Sequence, residues 1–302
     1  MLLIAGMHRS GTSLTAKICN ILGVELGNNL LTSSTEDNII GYQEAQEAVN
    51  INETLFATLG MRSDDIEILP RGWESEEQVV EISSHLKNWI RNGFEPDMFW
   101  GVKDPRICRF LPLWISAAEH CGYNPHILMP FRHPLEVSAS LSKRGAPWAD
   151  VEHNLVWWLL HVLEAERHSR GHERAFVYYP DLLDDWRNTV ETIGPLLDIK
   201  WPWCPEDVTT EVEKVIDPTQ YRNHVLDDAV LPASEVGFWC EQVIKTLLAA
   251  RSKPSKLDKD SLDKIYTDVR AWLSACQEGK RLSRMQAYDL GENTTSLLSA
   301  DE

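Results

Sequence analysis

The chain has 302 residues, and its 46 Asp and Glu against 29 Lys and Arg give a formal net charge of -17 at pH 7. That balance argues against non-specific binding to nucleic acid or anionic membrane surfaces, and any anionic ligand must be held by a local basic cluster against an unfavourable overall field. A hydrophobic share of 43% with 12 Trp permits a substantial core, and six scattered Cys without a Cys-x-x-Cys pair argue for free thiols over a disulfide framework or a zinc site.

The first element is a short apolar strand over 2–5, followed at once by Gly6-Met7-His8-Arg9-Ser10-Gly11-Thr12-Ser13. The spacing is that of a phosphate-binding loop, G-x-x-x-x-G-K-[ST], but Thr12 stands where the lysine for the β- and γ-phosphates belongs. A cation, Arg9, lies instead inside the loop. Gly6 and Gly11 permit backbone conformations that a Cβ resists. The amides after the strand point at the start of a helix over 12–22, where the helix dipole favours an anion. Thr12 and Ser13 add hydroxyl donors. Such a loop suits one or two anionic groups and is poorly equipped for a triphosphate with magnesium.

Gly41-Tyr42-Gln43-Glu44 leads into a helix over 44–59, and a second helical stretch covers 76–92. A strand over 99–102 ends in Lys103-Asp104-Pro105-Arg106 and gives way to a helix over 111–121. The strand over 127–131 ends at Arg132, and Pro134 suits the first turn of the helix over 134–143. Ser140 lies about two turns into that helix. Then come a helix over 151–169, a strand over 175–179 ending in Tyr179-Pro180-Asp181, and a helix over 182–197. This alternation predicts an α/β fold with a central parallel sheet covered by helices. Ligands in such sheets bind beyond the C-terminal strand ends, which aligns 6–13, 103–106, 132–134 and 179–181 along one rim. Residues 1–250 are expected to form the main domain and 251–260, polar and containing Pro254, a linker. An added C-terminal helix is expected over 261–290, with Leu262, Ile265, Tyr266, Val269, Trp272 and Leu273 at helical spacing, and a disordered tail over 291–302.

The loop at 6–13, taken with Arg132 and Ser140, resembles the paired nucleotide-binding motifs of the PAPS-dependent sulfotransferases, PAPS being 3′-phosphoadenosine 5′-phosphosulfate. The resemblance implies a P-loop-type three-layer fold in which Gly6, Arg9, Ser10, Gly11, Thr12 and Ser13 hold the 5′-phosphosulfate. Arg132 and Ser140 would hold the 3′-phosphate, which ATP lacks. Gly101-Val102-Lys103-Asp104-Pro105-Arg106 looks like the Lys-x-Pro element of the tyrosylprotein and carbohydrate branches, whose lysine approaches the transferring sulfonate. A structural role for Lys103 stays open, as does a mutual pairing of Asp104 and Arg106. Tyr179-Pro180-Asp181-Leu182 is similar to the Tyr-Glu-Asp-Leu element near the adenine, with Pro180 in place of Glu. Gly41-Tyr42-Gln43-Glu44, followed by Val49, Asn52, Glu53 and Leu55, resembles the Gly-aromatic-x-Glu stretch of bacterial members. The glycine-rich C-terminal loop and the catalytic histidine of the small-molecule branch have no clear match; Tyr221-Arg222-Asn223-His224 is the candidate counterpart of the loop.

By this resemblance, Arg9 and Lys103 stabilise the leaving phosphate and the sulfonate, and PAPS is the cosubstrate with no metal required. Glu44 is the expected general base, its competing role being electrostatic support of a helix N-terminus; His8 and Asp104 are the other candidates. The acceptor, a small molecule or a glycan with a carbohydrate favoured, is expected over 31–71 and the helix over 151–168. That helix carries Trp157, Trp158, Leu160 and His161, although tryptophans at helical spacing also build cores. Two readings compete: a P-loop nucleotide kinase or NTPase, and a non-catalytic nucleotide-binding scaffold. A cytoplasmic location is expected, with no membrane span, and the C-terminal helix is compatible with a homodimer.

Overall fold

Four parallel strands, β1 (Leu2–Ile4), β2 (Gly101–Lys103), β3 (His126–Phe131) and β4 (Arg174–Tyr178), form a sheet in the order β2-β1-β3-β4 in the computed structural model. It describes residues 1–27, 29–31, 41–95, 98–143, 145, 150–216 and 230–297, and side chains as far as 278. Register pairs Leu3 with Val102 on one side and with Ile127 on the other, and Met129 with Phe176. Strands this apolar must be covered on both faces. Leu3, Ala5, Ile127, Met129, Phe131 and Phe176 enter one core cluster, while Leu2, Ile4, Leu128, Ala175 and Val177 enter the other. The period-two alternation of β-strands is what divides them.

Helices α1 (Thr12–Ile21), α8 (Trp186–Leu196) and α9 (Thr209–Val215) contribute to the second cluster. Helices α2 (Gln46–Thr58), α3 (Glu77–Gly93), α4 (Ile107–His120), α5 (Pro134–Ser142), α6 (Val151–His168) and α10 (Glu235–Ala250) contribute to the first. This is the α/β architecture that the alternation of apolar runs predicts. The chain leaves β1 for β2 on one side and later returns to β3 on the other. The sheet therefore has its topological switch point between β1 and β3, where loops diverge and leave a crevice.

Local chemistry moves several boundaries. Asp104 Oδ1 accepts from the Arg106 amide at 3.0 Å, and α4 starts at Ile107 rather than 111. It runs on through a kink at Phe110 (φ -111°, ψ 20°), which relieves the clash that Pro112 brings to a helix interior. The helix expected over 182–197 is two: α7 (Tyr179–Asp184) ends at Asp185, whose carboxylate then caps α8 through the Asn188 amide at 3.0 Å. Tyr179 thus opens a helix instead of closing a strand. Helix α11 (Lys259–Leu297) begins within the expected linker and takes in 291–297 of the expected tail; 298–302 lie outside the described residues. Its Leu262, Ile265, Val269 and Leu273 are buried in the first core cluster. Among the described residues no helix is long and apolar enough to cross a membrane, and all six cysteines are free.

Candidate anion-binding site at the switch point

The loop after β1 is shaped by close backbone approach. A Cβ on Gly6 would lie 2.5 Å from the Pro130 carbonyl oxygen and 2.8 Å from Thr12 Cγ2, so the loop passes β3 only as glycine. Gly11 adopts φ +80° and faces Tyr179, whose Cδ2 would be 2.0 Å from an added Cβ. Gly11 is also the N-cap of α1, where no side chain supplies a capping hydrogen bond. First-turn amides have no intrahelical acceptor, and their partial positive charge attracts an anion. Ser10 is fully buried, and its Oγ has no hydrogen-bond partner among the described residues. A buried hydroxyl left in that condition beside a helix N-terminus fits an oxygen-rich ligand.

On the β2 side, Lys103 is 2% exposed, and its Nζ donates to Glu44 Oε1 at 2.6 Å, to the Tyr42 carbonyl at 2.9 Å and to Ser13 Oγ at 3.4 Å. A lysine from the neighbouring strand thus stands beside the start of α1, although Thr12 replaces the lysine of the loop itself. Glu44 precedes α2 by two positions, so its main electrostatic partner is Lys103 rather than the helix terminus. Its Oε2 is 3.7 Å from Arg106 Nη1. Arg106 in turn donates to Asp104 Oδ1 at 2.8 Å and to Glu53. Burial works against the Arg106 charge, but Asp104, Glu44 and Glu53 outweigh it and raise its pKa. Asp104 also accepts from Asn52 Nδ2 at 2.9 Å, and Asn52 Oδ1 accepts from Trp114 Nε1 at 2.9 Å. Asp104 is therefore tied into a buried orienting network, which the mutual pairing with Arg106 anticipates and a role as base does not.

On the β3 side, Arg132 Nε donates to Glu136 Oε2 at 2.6 Å, and its Nη1 reaches the Arg9 carbonyl at 3.5 Å. Its guanidinium lies 5.0 Å from the Tyr179 ring centroid. Arg9 Nε donates to Ser140 Oγ at 2.7 Å. Arg9, Arg132, Ser140 and Tyr179 are thus brought together, with Arg9 turned toward α5. His8, the preceding residue, goes the other way and stacks on Trp157 at 5.2 Å between centroids, edge-on to His161 at 6.0 Å. The Trp157, Trp158, Leu160 and His161 face expected to line an acceptor site is buried core. Trp157 Nε1 donates to the Ser63 carbonyl at 3.2 Å. Desolvation, then the field of Arg109, holds His161 down to a pKa of about 3, so it is a neutral core residue. Residues 32–40 of the expected acceptor loops and Tyr221-Arg222-Asn223-His224 lie outside the described residues.

Sequence reasoning gave no role to Glu136, and it placed Asn52 in the stretch after Glu44 without a role. The four-residue spacing of Arg132 and Glu136 at a helix start was a readable ion-pair signal. The role of Asn52 was not readable, because its partners come from the turn after β2 and from α4. Among the described residues no group of three or more His, Cys, Asp or Glu could hold a metal ion.

The molecule is thus an α/β protein whose parallel-sheet rim carries two clusters of ion-paired basic side chains flanking a phosphate-loop-like turn. No family model matches the chain, and no curated protein matches it either. Among solved structures, it aligns with the sulfotransferase domain from the Synechococcus PCC 7002 olefin synthase at a TM-score of 0.46 and 16% identity, covering 81% of this chain and 94% of that one.

Proposed function

We propose that the protein is a sulfotransferase that moves the sulfuryl group of PAPS to a hydroxyl of a carbohydrate or glycoconjugate acceptor. What carries this reading is the placement of basic side chains in two clusters across one crevice, each with carboxylate partners of its own: Lys103 beside Ser13 at the head of α1, and Arg9 with Arg132 and Ser140 on the other side. A nucleotide with phosphate groups at both the 3′ and 5′ positions fits two such clusters. Ser10 Oγ, without a partner among the described residues, and the uncapped start of α1 suit the 5′ group.

In this reading the acceptor oxygen attacks sulfur in line. The new O–S bond forms as the S–O bond to the 5′-phosphate breaks, the acceptor proton passes to Glu44, and adenosine 3′,5′-bisphosphate (PAP) departs. The loop amides and Lys103 stabilise the charge that grows on the bridging oxygen. A sulfonate oxygen competing for Lys103 would release Glu44 Oε1 to take the proton, while Arg106 keeps hold of Oε2. A cleft of about 540 Å³ beside the start of α2 supports a hydroxyl-rich acceptor. Trp89 and Phe94 give its lining an apolar part and Asn29, Gln46, Asn88 and Asn92 a polar one, with the paired Glu47 and His85 beside them, a lining suited to sugar rings.

Calorimetric titration with PAP against ADP plus magnesium, repeated on Arg132→Ala, tests the reading. A preference for PAP that collapses in the variant is expected. Equal or better binding of ADP with magnesium would overturn it in favour of a nucleotide kinase or NTPase, a reading to which Lys103 beside Ser13 lends some support.

A further inference from the structure

The cleft beside α2 has a charge character of its own. His85, Asn88, Trp89 and Asn92 line it from α3. They are spaced i, i+3, i+4 and i+7 and so share one helix face, from which Lys87 and Arg91 are turned away. The opposite side comes from Gly27, Asn29 and the first turn of α2, where Glu47 stands. Among the described lining residues Glu47 and His85 are the titratable ones, with Glu47 Oε1 at 2.5 Å from His85 Nε2. Glu47 Oε2 accepts from Asn50 Nδ2 at 3.5 Å. The Glu47 side chain is 36% exposed and that of His85 61%, so solvent and ligands reach both. From 18 to 61 the sequence holds six Asp and Glu and no Lys or Arg. An anionic ligand would therefore meet a carboxylate there with no ammonium or guanidinium in the lining to offset it. The aromatic part of the lining is held firmly: Trp89 meets Phe94 edge-on at 5.5 Å between centroids, and Phe94 stacks on Trp100 at 3.7 Å. A carboxylate beside an aromatic ring is the pairing that recognises an ammonium group, through charge and through the negative face of the ring.

We propose that this cleft selects acceptors carrying a protonated amine beside their hydroxyls, the chemistry of an amino sugar, and that Glu47 is the residue that determines this specificity. The inference rests on the sulfuryl-transfer reading above. The incoming ammonium takes the place of His85 at Glu47 Oε1, and the exposed imidazole turns to solvent. Trp89 offers its face to the same charge, and the side-chain oxygens of Asn88 and Asn92 accept the remaining N–H groups. A protonated amine has no lone pair with which to attack sulfur. It is therefore the handle, and a hydroxyl of the same acceptor is the nucleophile, giving its proton to Glu44. Glu44 and Glu47 are three residues apart, so their Cα atoms are separated by at most about 11 Å. A disaccharide spans that distance with its amine at one carboxylate and its hydroxyl at the other.

The test is calorimetric titration of the full chain, with and without PAP, using three trisaccharides of one linkage: the glucosamine trimer, its N-acetylated form and cellotriose, which has hydroxyls where the first has amines. Wild type is expected to bind the glucosamine trimer about fivefold or more tighter than either neutral trimer. Glu47→Gln should bring all three within about twofold of one another, and Glu47→Lys should place the glucosamine trimer below the neutral ones. Thermal melts confirm that each variant folds. A wild type that binds the three alike overturns the proposal. So does a preference for the amine that Glu47→Gln leaves unchanged, since it would then come from the overall negative charge of the chain. Transfer of labelled sulfate from PAPS to the same trimers is followed in parallel. An amine preference that depends on Glu47 but comes without transfer keeps the amine site and overturns the sulfuryl-transfer reading. Transfer to all three trimers at equal efficiency keeps that reading and overturns the amine site.

Discussion

Lys103 and Glu44 hold each other at 2.6 Å with almost no contact with solvent. Removing one partner of such a pair strands the other charge, so paired substitutions say more than single ones. Glu44→Gln keeps the shape and the hydrogen bond but removes the base. Turnover with PAPS and a sugar acceptor should fall by about 10²–10⁴. PAP affinity should hold or improve, since Lys103 loses its competitor. Steady-state and single-turnover kinetics check this, and near-normal turnover in Glu44→Gln would end the assignment. Gly11 gives a steric test. Gly11→Ala meets the Tyr179 ring at 2.0 Å and keeps an unfavourable φ of +80°. It should abolish nucleotide binding, and Tyr179→Ala should relieve only the collision and leave the backbone strain. Calorimetry on the single and double variants separates the two contributions.

The four strands were legible because buried parallel strands are continuous apolar runs, and the positions of the motif residues followed from the rule that ligands sit at strand ends. The directions of side chains were not legible. His8 and Arg9 are neighbours, yet one packs on α6 and the other on α5 because of a left-handed turn at Arg9 that no local propensity encodes. Helix α4 starts early because the Asp104 side chain stabilises its first turn, while Pro112 kinks the helix without ending it. The break at Asp185 carried a capping signal that the continuous helical periodicity obscured. The Asn52 link between α2, the turn after β2 and α4 is wholly tertiary, and its weight can be measured. Asn52 is fully buried between Asp104 and Trp114. Asn52→Leu would leave a buried carboxylate oxygen and an indole N–H each short of a partner, at a cost of about 2–4 kcal/mol. Urea denaturation of wild type and variant reads this directly. A loss under about 0.5 kcal/mol, ordinary for an exposed site, would mean that the network does not brace the site.

Buried ionisable groups make the response of the fold to acid asymmetric. His161 is held neutral in the core, with a pKa of about 3, by desolvation and then by the charges of Arg109 and Arg106, partly offset by the Trp157 carbonyl. Unfolded, it titrates near 6.5. Below that pH the unfolded chain binds a proton that the native chain refuses. Its contribution is therefore present above about pH 6.5 and is lost as pH falls toward 3, at up to about 1.4 kcal/mol per pH unit. His126 and His133 are also depressed, chiefly by burial, and act in the same direction. The overall charge acts in the opposite direction, because a chain at -17 loses self-repulsion as it approaches its pI near 5.0. A comparison with His161→Met isolates one group, since both proteins share that background. Wild type should lose more stability between pH 7 and pH 5 than the variant, by about 1.4–2 kcal/mol, when urea midpoints are followed at pH 7, 6 and 5. The variant's absolute stability is irrelevant to this test; only the difference in slope counts. Parallel slopes would mean that the His161 ring takes up its proton in the native state, and that the core beneath the phosphate-loop-like turn admits a charge its dry packing should refuse.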